Sequence, residues 1–458
     1  MKTLLKGGYV ISAKGARRAD VLLSGETVER VGRNLDPKDA ETVDVSGCYL
    51  FPGFIDAHTH FDLDVCNTTT ADDFESGSKS AIRGGTTTVI DFACPNKGES
   101  LAYGLDLWHK KADGRCYCDY GFHMTIDDWN ESIEKEIDDM YAAGITSFKM
   151  YLTYPAMMIG DGDIYRVLKK LREKGGICGV HCENAGVIDA KIAELKDGGH
   201  AAEVVSHPLS RPDYLEAEAV SRLLRIAQAA DAPVVIVHTT NEASLREVEA
   251  ARKRGQTVYV ETCPQYLALD DSVYSAPDYS DAARFVCAPP IRKEKDQKAL
   301  WKALRRNEVQ TISTDHCSFT LEQKDAGRED FTKIPGGLPG VETRGEVVYT
   351  AGVARKNISL GDMCRALSEN PAKLYGLFPR KGVIAPGSDA DIVVYDPKAG
   401  HILRAEEMVS KAGYTPYEGM RTEGSIVKVY LRGHLMVENG KVIGGQEGAY
   451  LKRGVCIL

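Results

Sequence analysis

The chain has 458 residues, of which 43% are apolar and 27% charged, close to the averages of folded globular proteins. Lysine and arginine total 57 against 66 aspartates and glutamates, a formal net charge of −9, so the basic surface that nucleic acid or anionic lipid would need is excluded and neither is expected as a partner. No apolar run approaches the roughly 18 residues that span a bilayer, the N-terminus lacks a signal-peptide pattern, and 12 cysteines scattered over so long a chain imply a reducing, cytoplasmic setting, not a disulfide framework.

In chain order, the first fifty residues read as short β-prone runs at 4–12, 19–23, 27–31 and 42–50, split by turn residues. The middle then changes period. Short apolar or β-branched runs fall at 54–60, 86–92, 120–126, 145–152, 177–182, 233–239, 257–262 and 310–314. Such runs mark strands buried on both faces. Between them lie amphipathic stretches with helical spacing, clearest at 132–143, 164–174, 214–229 and 242–254. Eight strands alternating with helices over about 260 residues match an α/β fold of the (β/α)8 barrel type in count and length. An open doubly wound sheet is the alternative, and the Gly-rich phosphate turn it would carry after its first strand is missing. The last eighty residues return to β character at 391–396, 426–431 and 441–443. Both ends are therefore expected to build one small β domain, 1–52 with 380–458, beside a barrel of residues 53–379, with two separate caps as the alternative. Two long irregular stretches, 269–295 and 325–338, are of a length that is uncommon without a functional reason.

The first barrel strand ends in Asp56-Ala57-His58-Thr59-His60. Residues i and i+2 of a strand point to the same face, so two imidazoles can meet one ion. His181 ends the fifth strand and His238 the sixth, while Asp315, followed by His316, ends the eighth. In a barrel these ends converge on one mouth, where active sites sit. Four histidines, out of 11 in the chain, and an aspartate gathered there form a candidate metal site. Imidazole with carboxylate suits zinc, with manganese, cobalt or iron as alternatives. Lys149 lies inside the apolar fourth strand, where a buried ammonium is costly and would repel nearby cations. A neutral amine that takes up CO2 becomes a carbamate, an anionic donor able to bridge two divalent ions. A structural lysine–aspartate pair is the plainer alternative.

Nine segments carry a resemblance to the amidohydrolase superfamily, in particular its dihydropyrimidinase and D-hydantoinase branch: FPGFIDAHTH (51–60), GGTTTVIDF (84–92), GITSFKMYLTY (144–154), HCEN (181–184), HPLSRPDYLEAEA (207–219), VHTTN (237–241), ETCPQYL (261–267), TDHC (314–317) and GSDADIVVYDP (387–397). The resemblance implies a (β/α)8 barrel with a β-sandwich made from both termini, a homotetramer, and hydrolytic opening of a small cyclic amide. The substrate would be a dihydropyrimidine or a 5-substituted hydantoin and the product an N-carbamoyl amino acid. It also implies two divalent ions, one held by His58, His60 and Asp315 and the other by His181 and His238. Lys149, as N6-carboxylysine, would bridge them. Asp315 would act as general base and then acid, and Tyr154 would donate a hydrogen bond to the developing oxyanion.

Two loops expected to bind the substrate's imide depart from the family pattern. Ala288 stands where the family's Ser-Pro-Pro has serine, and Gly336 where its Pro-Asn-Gly has asparagine. Main-chain contacts can survive both changes. Leu63, Val65, Met157, Met158 and Ile159 are candidates for an apolar pocket around the ring substituent, methionine being adaptable in shape. Asp62 occupies the position where dihydroorotases usually carry an arginine, which disfavours that activity; allantoinase is a second alternative. A metal-free adaptor of the same fold would lack ligands that this chain has. His123 is expected to pack, His316 to orient Asp315 or pack, and the segment from Arg211 through Glu216 and Glu218 to be structural. Cys182 and Cys317 lack the partners of a cysteine nucleophile.

Overall fold

The computed structural model describes residues 2–36 and 39–458. Eight parallel strands form one sheet in chain order: Phe54–Thr59, Thr86–Ala93, Asp119–Thr125, Ser147–Tyr151, Ile177–His181, Val234–Ile236, Val258–Thr262 and Thr311–Ile312. The sheet nearly closes where the eighth strand meets the first. Thr59 and His316 form a parallel bridge there. Thr314 donates to Asp56 from its backbone (3.1 Å) and its hydroxyl (2.7 Å). The buried Arg344 guanidinium donates to the carbonyls of Ile55 (2.8 Å) and Ile312 (2.9 Å), one from each strand. Side chains thus complete a seam that the ladder leaves short.

The sixth and eighth strands are shorter than their apolar runs predict. His238 (φ 35°) and Asp315 (φ 53°) adopt left-handed backbone just beyond them, which ends the ladder. The helices follow their sequence signals closely. Glu131–Ala143 starts at Asn130, whose side chain accepts from Ser132 and Ile133, and stops at Gly144 (φ 89°). It buries Ile133, Ile137 and Met140, one stripe at helical spacing.

The terminal strands form two further sheets. One has four strands, in the order Thr27–Gly32, Asp20–Ser24, Lys2–Lys6, Glu41–Asp44. The other has seven, in the order Lys441–Val442, His434–Glu438, Ser425–Leu431, Ile392–Asp396, Tyr49–Pro52, Tyr9–Ser12, Gly15–Arg18. Leu5, Val21, Leu23, Leu50, Ile392 and Val394 share one buried cluster drawn from both sheets. The single run expected at 4–12 is in fact two strands, one in each sheet. Gly7 turns the chain between them at φ 85°, and a Cβ on it would lie 2.5 Å from Ser46 Oγ. Gly15–Arg18 and His434–Glu438 add strands that their composition did not announce.

Lys381 ties this domain to the barrel. Its buried ammonium lies 2.6 Å from Asp119, 2.6 Å from Asp391 and 3.0 Å from Asp389, so this acidic cluster encloses a cation of the protein's own. Residues 449–453 run along the start of the third barrel strand: Tyr120 N donates to Ala449 O (3.0 Å) and Leu451 N to Tyr120 O (2.7 Å). All 12 cysteines are free. Among the described residues, no helix is long and apolar enough to cross a membrane.

Candidate active site

Strand alternation turns His58 and His60 toward the barrel mouth from one strand end. Asp315 reaches them from the far side of the seam. Its Oδ1 lies 3.2 Å from His58 Nε2 and 3.3 Å from His60 Nε2. His238 joins from the sixth strand, so that His58, His238 and Asp315 each bring one ligand atom within 4.8 Å of the others. The His238 ring lies 4.5 Å from that of His181, centroid to centroid. Lys149 Nζ stands 3.3 Å from His58 Nε2. All six residues expected to hold metal therefore meet in one cluster. Only Asp315 (14% exposed) and His60 (9%) present much of their side chains to solvent.

Burial sets the electrostatics. It lowers the pKa values of His58, His181 and His238, with the Lys149 charge adding to the effect, so their rings are neutral and offer lone pairs. Burial likewise lowers Lys149. For Asp315 burial alone would raise the pKa, but the imidazoles of His58, His60 and His238 outweigh it and hold the carboxyl well below its ordinary range. His60 and His238 each leave one buried ring nitrogen with no hydrogen-bond partner. Among the described residues Lys149 makes no ion pair; its neighbours are His58 and the rings of Phe92 and Tyr151. The plainer lysine–aspartate pairing is thus not formed. Unpartnered imidazole nitrogens, a low-pKa carboxylate and an amine biased toward neutrality are a donor set that fits divalent metal.

The profile of the amidohydrolase family matches residues 49–436. The chain belongs to the amidohydrolase family. It is 40% identical to the D-hydantoinase of Geobacillus stearothermophilus, over 99% of this chain and 97% of that one. It is 41% identical to the D-hydantoinase of Streptomyces coelicolor, over 99% and 98%. Among solved structures it is similar to the dihydropyrimidinase of Brevibacillus agri, with a TM-score of 0.98, 39% identity and full coverage of both chains.

In this amidohydrolase, carboxylates that sequence reasoning did not single out stand behind the histidines. Glu261 of the seventh strand contacts His58 Nδ1 at 2.6 Å and accepts from His238 N at 3.3 Å. Burial pushes its carboxyl up to about 7. Glu183 contacts His181 Nε2 at 2.8 Å and is itself paired with Arg211 at 2.7 Å. Such partners fix which ring nitrogen faces an ion and sharpen its basicity. Both glutamates sit at or just past apolar strand ends, which was the one signal available for them. Arg211 therefore belongs to the site, where a purely structural part was expected.

Tyr154 follows the fourth strand with φ 67°, a strained backbone that aims its ring at the mouth, 5.1 Å from the His181 ring. Burial raises its pKa, so the hydroxyl keeps its proton and can donate. His316 packs and bonds; it does not touch Asp315 through its ring. Its Nε2 meets Asp72 at 3.1 Å and its Nδ1 accepts from Gly340 N at 3.1 Å. His123 packs between Ser147 (2.6 Å) and Ala57 O (3.0 Å). Cys182 and Cys317 are buried, and burial raises both thiols.

The residues expected to line a substituent pocket sit in the connections after the first and fourth strands, where Val65 and Ile159 both pack against the core that contains Leu63. Leu63 is buried in the main core, which Val65 flanks. The Met157 and Met158 amides donate to Tyr154 O at 2.8 and 2.9 Å, and Met158 and Ile159 line a groove of about 460 Å³ with Leu152, Asn184 and Arg222. Ala288 and Gly336 do face each other: a Cβ on Gly336 would lie 3.9 Å from Ala288 N.

Proposed function

We propose that this amidohydrolase opens the ring amide of dihydropyrimidines or 5-substituted hydantoins by hydrolysis, giving N-carbamoyl amino acids. The observation that carries the reading is the cluster itself: His58, His60, His181, His238, Asp315 and an unpaired Lys149 at one barrel mouth. The names of the relatives agree with it. His58, His60 and Asp315 would hold one divalent ion, and His181 and His238 a second, zinc being the metal these donors suit. The Lys149 amine, adding to CO2 with loss of a proton, would give the bridging carbamate. When bound, such ions lower the pKa of water and polarise a carbonyl.

The protein's own groups then do the rest. Asp315, held ionised, takes the proton of the attacking water and passes it to the leaving ring nitrogen. The Tyr154 hydroxyl donates to the carbonyl oxygen as negative charge develops. Main-chain groups of the loops at Ala288 and Gly336 hold the imide. We place the enzyme in the cytoplasm on its cysteine usage, and as a homotetramer on the strength of the family resemblance.

A hydrolysis screen with dihydrouracil, dihydrothymine, phenylhydantoin, allantoin and dihydroorotate, run beside metal analysis, tests the reading. Turnover of one of the first three by metal-containing protein is expected. Activity confined to allantoin or dihydroorotate, or a metal-free protein inert on all five, would overturn it.

A further inference from the structure

Leu321–Lys324 is one helical turn capped by Thr320, in the connection that follows Asp315. Its last residue, Lys324, is 1% exposed. The ammonium donates to Val286 O at 3.0 Å and to Pro335 O at 2.9 Å. Val286 lies two residues before Ala288, and Pro335 lies immediately before Gly336. One buried cation thus grips both loops of the imide site. The loops also touch directly, Gly337 N donating to Val286 O at 3.0 Å. The neighbouring Gln323 donates to Thr68 Oγ1 and Thr69 O, each at 2.8 Å, in the loop that follows the first strand. Three segments of the mouth are therefore joined through two adjacent side chains.

Burying an ammonium is costly unless its bonds repay the lost water. Among the described residues Lys324 has no carboxylate partner; the titratable groups near it are the thiols of Cys287, Cys317 and Cys66 and the His207 imidazole. Burial lowers its pKa to about 8, so it is charged at neutral pH, and a charged donor makes the stronger bond to a carbonyl. Alanine and glycine at 288 and 336 have no polar side chain that could fix the main chain, so beyond the Gly337–Val286 bond the loops are held by side chains from outside them: His207 and Tyr266 on the first alone, Lys324 on both.

We propose that Lys324 is the positioning residue of the imide-binding loops: its paired bonds to Val286 and Pro335 set the gap between Ala288 and Gly336, and with it the affinity for the ring. It touches neither the reacting atoms nor the metal ligands. The link to affinity rests on the cyclic-amidase reading; the clamp does not.

The test uses the metal-loaded enzyme with Lys324→Met and Lys324→Arg. Hydrogen exchange at the amides of 286–288 and 336–338 should be about tenfold faster or more in K324M, with the barrel strands unchanged, and should recover in K324R. With a hydantoin or dihydropyrimidine that the wild type turns over, KM should rise about tenfold while kcat stays within about threefold. Unchanged exchange in both loops overturns the clamp whatever the activity. Faster exchange with an unchanged KM, or a fall in kcat alone, overturns the role in substrate affinity. A wild type inert on every ring defeats the functional reading instead, and the exchange measurement then decides the clamp by itself. Should K324M fail to fold, Lys324→Gln, which keeps donors but drops the charge, is read against the same outcomes.

Discussion

On one side of the mouth, the histidine cluster has carboxylates behind it: Glu261 on His58, Glu183 on His181, and Asp56 reaching from the first strand to Thr314 beside Asp315. On the other side, the loops around Ala288 and Gly336 are held through main-chain carbonyls. His207 bonds Cys287 O (2.8 Å), Tyr266 bonds Pro289 O (2.8 Å), and Lys324 bonds Val286 and Pro335. The first wall must present particular atoms with particular charges, so its chemistry is written in side chains. The second presents backbone, which any non-proline residue supplies, and two departures from the family pattern fall there.

That contrast can be broken from either side. The largest effect is expected at Lys149→Ala, which should abolish activity and release metal, with partial rescue by a small carboxylate such as acetate. Full metal occupancy in that variant, measured by elemental analysis, would contradict the bridging role. Tyr154→Phe should cut kcat by about 10²-fold or more while metal content stays at the wild-type level. Glu261→Gln and Glu183→Gln should each weaken metal binding by roughly 10- to 100-fold, read by chelator competition, without unfolding the barrel. Gly336→Asn should change stability by no more than about 0.5 kcal/mol, since a Cβ there makes only ordinary contact. A large loss in thermal or denaturant unfolding would show that the second wall does depend on its side chains.

The two walls were unequally legible in the sequence. His58 and His60 announce themselves because a strand's period of two fixes their common direction, and the remaining candidate ligands follow from the convergence of strand ends. Glu261 is different. It acts on a residue 203 positions away, and only the folded barrel brings them together. Lys324 gave no signal at all, being one lysine in a polar, glycine-containing loop. Helices came through well because caps and periodicity are local. The short sixth and eighth strands did not, because the left-handed backbone at His238 and Asp315 leaves no mark in an apolar run. The division of 4–12 into two strands turned on a single glycine conformation.

The pairing of Tyr49–Pro52 with Ile392–Asp396 has a consequence for synthesis. At ribosomal speeds of roughly 5–20 residues per second, the N-terminal strand waits on the order of tens of seconds for its partner to emerge. During that interval its edge carries Tyr49, Leu50 and Phe51 with open main-chain groups, an adhesive surface for other nascent chains. Yield in cells should therefore respond to translation rate and chaperone supply more steeply than the stability of the finished barrel would suggest.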